Sequence, residues 1–291
     1  MIGPAELAGQ VVHQEHSGID ISPATFARFA AYITGELGIK MPESKLTLVQ
    51  SRLLKRLREL HMESLNEYGE YFFASSSSEE REHFINAITT NKTDFFREPQ
   101  HFAYFSDVVL PAAKCTGAGG RFQVWSAGCS SGEEPYTLAM LLAEYARRQC
   151  GFHFAILATD ISTRILARAR SGIYGKSAIV PIPPELRRKY LQYSRNHAEK
   201  LVRVIPGLRE KVSFHRLNFM DAAYQIKDTF DAVFFRNVMI YFDRGTQEAV
   251  VNKICRNLAP GGYLFAGHSE SLAGLDVPLK QVSTAIYGKH I

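Results

Sequence analysis

The chain has 291 residues and a formal net charge of +5, with 46% hydrophobic and 22% charged residues. That length suits one large or two smaller domains, and that composition excludes a mainly disordered or fibrous chain. The charge is too small to imply nucleic acid by itself, and no apolar run approaches the roughly 18 residues of a membrane helix.

Residues 1–20 carry no periodicity and are expected to form a flexible arm without a secretory pattern. Cys115, Cys129, Cys150 and Cys255 form no CxxC pair, so reduced thiols and no metal site are expected. Ser22-Pro23 is a helix start, and Phe26, Phe29, Ala30 and Ile33 follow at helical spacing until Gly38 and Pro42. Lys45 to Met62 is a second helix with an apolar stripe of Val49, Leu53, Leu57 and Leu60. Arg52, Lys55, Arg56 and Arg58 lie largely off that stripe. A serine run ends in Ser78, the expected cap of a helix that opens on Glu79 and Glu80 and continues through Phe84, Ala87 and Ile88.

Beyond about residue 95 the pattern changes to strands alternating with helices. Strands are expected over 121–127, 152–159, 211–219, 230–237, 263–267 and 283–287, and helices over 135–148, 162–170 and 243–258. Pro260-Gly261-Gly262 stops the last helix. This alternation predicts a parallel sheet covered by helices on both faces. Residues 172–206 break it with Pro181, Pro183, Pro184 and Pro206, and hold a candidate antiparallel pair at 189–193 and 201–205. That stretch is expected to be a small inserted subdomain.

The sharpest local signal is Val124-Trp-Ser-Ala-Gly-Cys-Ser-Ser-Gly-Glu-Glu-Pro-Tyr. A strand runs into Gly128, a tight turn ends at Gly132, and a helix opens near Glu134-Pro135. Such strand-to-helix turns bind ligands at the carboxyl edge of an open α/β sheet. Ser130 stands where a dinucleotide fingerprint has its middle glycine, and two carboxylates open the helix. Both features disfavour a bound phosphate. A nucleoside without phosphates suits this turn, with Asp160 at the end of the next strand placed to accept hydrogen bonds from a ribose. S-adenosylmethionine has that chemistry. Asn218 closes the third strand of the alternating region, where its amide can meet an adenine edge. Arg236-Asn237 closes the fourth; a buried arginine there is costly unless it serves a partner. His268-Ser269-Glu270 resembles a triad fragment, but Ser269 is not on a nucleophile elbow, so hydrolysis is discounted.

Thr90-Asn-Lys-Thr-Asp-Phe-Phe-Arg-Glu, the glycine turn, Ala169-Arg-Ser-Gly-Ile-Tyr, Phe235-Arg-Asn-Val-Met-Ile-Tyr-Phe-Asp and Leu264-Phe-Ala-Gly-His-Ser-Glu occur in order. Together they resemble the CheR family of chemoreceptor glutamate methyltransferases over roughly residues 22–288. The resemblance implies methyl transfer from S-adenosylmethionine to receptor glutamates in the cytoplasm, yielding methyl esters and S-adenosylhomocysteine, with no metal. It implies a helical domain over 21–90, an interdomain segment over 91–100, and a Rossmann-like α/β methyltransferase domain over 101–291. An antiparallel β-subdomain is implied near 186–210. Asn91, Thr93 and Arg97 match the segment lying over the cofactor, and Glu133 or Glu134 the acidic group near its methionine end. Asp160 matches the ribose ligand, and Leu217, Asn218, Asn237 and Val238 the adenine-side and backbone contacts. Gly128 belongs to the cofactor turn. Arg97, Arg236 and Tyr241 match the polar groups around the transfer site, with Arg236 or Arg97 expected to orient the acceptor.

The acceptor implied is a carboxylate, ionised at neutral pH, so no general base is required. The resemblance also turns Arg52, Lys55, Arg56 and Arg58 into a candidate docking face for the methylation helices of receptors. One departure stands out. Family members that tether to a receptor's C-terminal pentapeptide share a glycine-rich loop, whereas Tyr193-Ser-Arg-Asn-His-Ala-Glu-Lys holds no glycine. This favours recognition without that tether. Two alternatives are a nucleic-acid methyltransferase on the same fold and a non-catalytic cofactor-binding module. The absence of prolines from Arg236-Asn-Val-Met-Ile-Tyr speaks against the first, and the intact turn and strand-end residues against the second.

Overall fold

In the computed structural model the described residues are 21–74, 77–113, 120–196 and 200–290. The arm expected over 1–20, Cys115 and residues 197–199 of the glycine-free stretch lie outside them. Four helices come first: α1 (Pro23–Leu37), α2 (Leu46–Glu59), α3 (Leu65–Ala74) and α4 (Ser78–Ile88). Ser22 caps α1 by accepting from the Thr25 N–H at 3.1 Å. The cap of α4 is Ser77 rather than Ser78, with its hydroxyl accepting from Glu80 N at 3.1 Å. The unforeseen α3 lays Leu65, Tyr68 and Phe72 on the shared core, where Phe72 and Phe84 rings sit 4.5 Å apart.

The remaining elements are, in chain order, α5 (Pro99–Tyr104), β1 (Phe122–Ala127), α6 (Glu133–Ala146), β2 (Phe154–Asp160) and α7 (Thr163–Ser171). Next come β3 (Ile173–Gly175), α8 (Pro184–Tyr190), β4 (Leu191–Tyr193), β5 (Leu201–Val204) and α9 (Pro206–Arg209). The last are β6 (Val212–Arg216), β7 (Phe230–Phe235), α10 (Arg244–Arg256), β8 (Leu258–Ala266), β9 (Leu279–Ser283) and β10 (Ile286–Lys289). The main sheet has the order β6-β2-β1-β7-β8-β10-β9. Its first five strands are parallel, and the central β1 and β7 are buried along their whole length, as strands covered by helices on both faces should be. The chain winds outward from β1 in both directions, so the order reverses between β1 and β7, where such sheets open a crevice.

Three differences from the sequence reading have local causes. The sheet is mixed, because the single strand expected over 283–287 is half of an antiparallel hairpin, β9–β10. Its turn places Ala285 at φ 54°, which the sequence does not advertise with a glycine. Strand β8 begins at Leu258 rather than Tyr263. Pro260-Gly261-Gly262 is accommodated as an irregularity, since Leu258 pairs Phe230 while Tyr263 already pairs Ala232. The second sheet has three strands, β3-β5-β4, not two. Among the described residues no helix is long and apolar enough to cross a membrane.

The helical domain is fastened to the sheet domain at specific points. Ser162 Oγ donates to Asn86 Oδ1 at 2.7 Å, and Arg164 Nη2 to Asn86 O at 2.7 Å. Lys40 N donates to Tyr241 O at 2.8 Å. Residues 89–98 cross between the domains over the carboxyl ends of β1 and β7.

Candidate active site

A cavity of about 230 Å³ lies at the crevice predicted by the strand order. The glycine turn forms its floor. Gly128 N and Cys129 N both donate to Thr159 O at 2.8 Å, which folds the turn onto the end of β2. Gly128 has φ 85°, and a Cβ there would stand 2.6 Å from Val238 Cγ2. Gly132 has φ 96°, and a Cβ there would meet the Tyr174 hydroxyl at 2.8 Å and Ala169 Cβ at 3.0 Å. The Ala169–Tyr174 motif is thereby explained: it packs against the turn, and Tyr174 donates to Ser131 O at 2.8 Å.

Ser130, at the would-be middle glycine, adopts φ 49°. Its N–H donates to Asp160 Oδ2 at 2.9 Å and its hydroxyl to Asn91 O at 2.9 Å. The side chain unsuited to a pyrophosphate thus ties the turn to the interdomain segment. Asp160 accepts a second backbone N–H, from Ser162 at 3.0 Å, and still lines the cavity. Burial pushes its carboxyl pKa up against the pull of those donors.

The interdomain segment supplies Asn91, Thr93 and Arg97 to the cavity, as expected. From the glycine turn come Gly128 and Glu134, and from the far side Asn218, Asn237, Val238 and Tyr241. Leu217 is 8% exposed and packs in the core below the cavity rather than lining it. The two acidic candidates at the start of α6 separate. Glu133 turns into the protein and accepts from Ser131 Oγ at 2.6 Å, whereas Glu134 lines the cavity. Asn218 also lines it, yet its amide Nδ2 donates to Glu36 O at 2.7 Å and its Oδ1 accepts from Met220 N at 3.0 Å. That amide holds α1 in place instead of pointing a free edge at a base.

Arg236 is 6% exposed and held from several directions. Nη1 donates to Glu134 Oε2 at 3.1 Å and Nη2 to Glu98 Oε2 at 3.0 Å. Nη2 also bonds the Arg97 carbonyl, and the guanidinium lies over the Phe102 ring at 5.2 Å. Two carboxylates therefore flank its guanidinium, which also lines the cavity. Arg97 differs. It is half-buried at the cavity, donates from Nη1 to Lys92 O at 3.0 Å, and forms no ion pair among the described residues.

The His268-Ser269-Glu270 fragment is structural. Glu270 accepts from Gly267 N at 2.6 Å, Asn237 N at 2.8 Å and Ile240 N at 3.2 Å. It fixes the loop that carries Asn237, at φ 58°, and Tyr241. The basic helix α2 is also more committed than its sequence suggests. Arg56 is ion-paired to the buried Glu80, which Tyr68 approaches at 2.7 Å. Arg52 bonds Ile88 O and, at 2.6 Å, Thr90 Oγ1. Of the four basic candidates, Arg52 and Arg56 point inward, and Lys55 and Arg58 remain exposed.

Leu37, Ile39, Ile161, Phe219 and Ile240 also line the cavity, and none was singled out in the sequence. Leu37 and Ile39 come from the helical domain, so the apolar wall is built by both domains. A leucine at the end of a helix and an isoleucine just beyond it carry no signal that they face a ligand. These donors fit S-adenosylmethionine. A planar base has apolar walls, a ribose has the Asp160 carboxylate, and a cationic methionine end has Glu134. The same carboxylates repel a phosphate.

Residues 91–287 match the family described as CheR methyltransferase, SAM binding domain, and residues 24–89 that described as CheR methyltransferase, all-alpha domain. The chain is 38% identical over 265 residues to a chemotaxis protein methyltransferase of Salmonella typhimurium, covering 91% of this chain and 90% of that one. It is 36% identical over 276 residues to a protein of the same description from Borreliella burgdorferi, covering 94% and 96%. A third such protein, from Escherichia coli, is 38% identical over 256 residues, covering 88% and 87%. With both domains matched in order, the chain belongs to the CheR methyltransferase family.

Proposed function

We propose that the protein transfers a methyl group from S-adenosylmethionine to glutamate side-chain carboxylates on the cytoplasmic helices of chemoreceptors. The observation that carries this reading is the contrast between the two arginines of the site. Arg236 is neutralised by Glu98 and Glu134, whereas Arg97 faces the cavity without a carboxylate partner among the described residues. The cavity therefore presents a guanidinium without an ion pair among the described residues and the Tyr241 phenol, while its carboxylates Glu134 and Asp160 are held by Arg236 and by backbone N–H groups.

That equipment suits an acceptor that is already an anion. A glutamate carboxylate has a pKa of about 4.3 and needs no deprotonation at neutral pH. When bound, S-adenosylmethionine supplies an electrophilic methyl on a sulfonium. Arg97 holds one acceptor oxygen by a charge-assisted hydrogen bond while the other forms the new C–O bond and the C–S bond breaks. No proton moves, and the products are the ester and S-adenosylhomocysteine. The positive sulfonium and the negative acceptor are both neutralised on the way to the transition state. Alignment, rather than charge stabilisation, is then the main contribution of the protein. Glu134, Asp160 and the apolar walls orient the donor, and Tyr241 borders the transfer position.

The exposed Lys55 and Arg58 of α2 lie on the helical domain, which also carries Leu37 and Ile39 to the cavity. They form a positive face for acidic receptor helices, and recognition proceeds without a pentapeptide tether. Incubation with a receptor cytoplasmic fragment, followed by peptide mass spectrometry, tests the assignment: methyl groups map to glutamate side chains. Modification of lysine, or of added RNA in preference to the fragment, would refute it.

A further inference from the structure

Glu98 follows Arg97 directly but does not line the cavity. It sits at φ 57°, ψ 66°, a left-handed conformation that a non-glycine residue adopts at a cost of about 1–2 kcal/mol. Phe96, Ser130 and Asn237 share that region of backbone space, and all three flank the same site. Strain concentrated at one place persists only where surrounding contacts enforce it.

At Glu98 those contacts are specific. Its Oε2 accepts from Arg236 Nη2 at 3.0 Å and from His268 N at 3.3 Å, and its Oε1 from Asn237 Nδ2 at 3.2 Å. The neighbouring Arg97 carbonyl is bonded by the same Arg236 nitrogen. Arg236 therefore clamps both sides of the Arg97–Glu98 peptide, once through a main-chain oxygen and once through the Glu98 side chain. On the other flank, Arg97 N donates to Asp94 O at 3.4 Å and its guanidinium to Lys92 O at 3.0 Å. The direction of the Arg97 side chain is set by a backbone pinned on both sides.

The surroundings exclude a cation-binding role. The possible ligand atoms of Glu98, His101 and His268 lie within 4.8 Å of one another. The Arg236 guanidinium already occupies that carboxylate, and a metal ion would face its positive charge. The Glu98 carboxyl stays well on the ionised side: burial opposes ionisation, but Arg236, Asn237 and His268 outweigh it.

We propose that Glu98 is a positioning residue for the transfer, holding Arg97 in the orientation that receives the acceptor carboxylate. This rests on the reading of Arg97 given above. Glu98 contacts neither the cavity nor the reacting atoms, and acts only through the peptide it shares with Arg97 and through Arg236. An isosteric amide at this position has one acceptor oxygen where three donors converge, so its NH2 group must face another donor.

The test compares Glu98→Gln, Arg97→Ala and the double variant in three assays: turnover on a receptor fragment, calorimetric affinity for S-adenosylhomocysteine, and urea unfolding. Glu98→Gln is expected to lower kcat by about 100-fold, the scale on which small misplacements act. Affinity for S-adenosylhomocysteine should stay within about threefold of the parent, and the double variant should be no slower than Arg97→Ala, as for residues acting as one unit. Should Glu98→Gln fail to fold, Glu98→Asp keeps the charge but withdraws it by one methylene, and the same cycle applies. Multiplying losses in the double variant, or a Glu98 variant of undiminished kcat, would overturn the proposal while leaving the role of Arg97 intact. An Arg97→Ala protein of normal turnover would overturn both.

Discussion

Arg236 Nη1 lies 3.1 Å from Glu134 Oε2, and this bond joins the end of β7 to the first turn of α6 across the point where the strand order reverses. The pair spans the two strands whose divergence opens the crevice. Glu134 is further held by Ser126 Oγ at 2.7 Å, so its position is fixed from the strand beneath and the arginine beside it. Burial pushes the Glu134 carboxyl pKa upward, and Arg236 opposes that shift.

Arg236→Met is accordingly expected to damage folding as well as the alignment of Arg97. It strands two half-buried carboxylates, Glu98 and Glu134, and breaking a fully buried pair costs about 3–5 kcal/mol, an upper bound here. The urea unfolding midpoint should fall by a corresponding amount. Parent-like stability in this variant would show that the carboxylates have other partners.

Glycine substitutions separate strain from collision. Gly132→Ala combines a left-handed backbone with contacts of 2.8 Å to Tyr174 and 3.0 Å to Ala169. It should cost about 1–2 kcal/mol for the backbone and about 1–3 kcal/mol more for overpacking, and should weaken S-adenosylhomocysteine binding. Gly151→Ala has φ 78° and open space around the added carbon. It should cost only the first contribution and leave binding unchanged. Equal behaviour of the two in calorimetry would contradict the packing role assigned to Gly132.

His101 predicts an acid-sensitive step. Burial, reinforced by Arg236, lowers its pKa from 6.5 to about 4, and the residue is 1% exposed. The unfolded chain then binds the proton first as pH falls. The stability contribution is complete above about pH 6.5 and is lost between there and about pH 4, amounting to about 3 kcal/mol. Glu134, Asp160 and Glu270 have raised pKa values from burial and give the opposite slope. Comparing the parent with His101→Phe across this window cancels their contribution. The difference in unfolding free energy should change with pH in that direction, and a flat difference would contradict it.

On α2, the charges divide by what they touch. Lys55→Glu and Arg58→Glu should slow receptor methylation at low salt and matter less as salt rises, since exposed charges are screened. Arg56→Glu should instead lower the melting temperature, because it opposes the buried Glu80. Identical effects of all three on stability and rate would remove the docking role.

Sequence patterning reached the strand–turn–helix at Gly128–Gly132 and the ligand edge of the sheet, because each is encoded within a few neighbouring residues. Asp160, at the end of the next strand, was legible for the same reason, whereas Arg97 and Tyr241 were singled out only through the family resemblance; all three line the cavity. Contacts between distant segments were not. That Glu134 rather than Glu133 faces the cavity depends on Arg236, 102 residues away. That Asn218 serves α1 depends on the Glu36 carbonyl, 182 residues away. The inward turn of Arg56 required Glu80 on a helix whose packing angle no local pattern specifies. The same holds for β8, where Pro260-Gly261-Gly262 signals a break that strand pairing absorbs.

The central claim is ester formation on a carboxylate. Methyl-labelled S-adenosylmethionine, incubated with the protein and chemoreceptor-containing membranes and then treated with mild base, tests it most directly. The account predicts label in the receptor band that is released as volatile methanol, and its loss with Arg97→Ala. Label that survives base, on receptor or on added RNA, would contradict it.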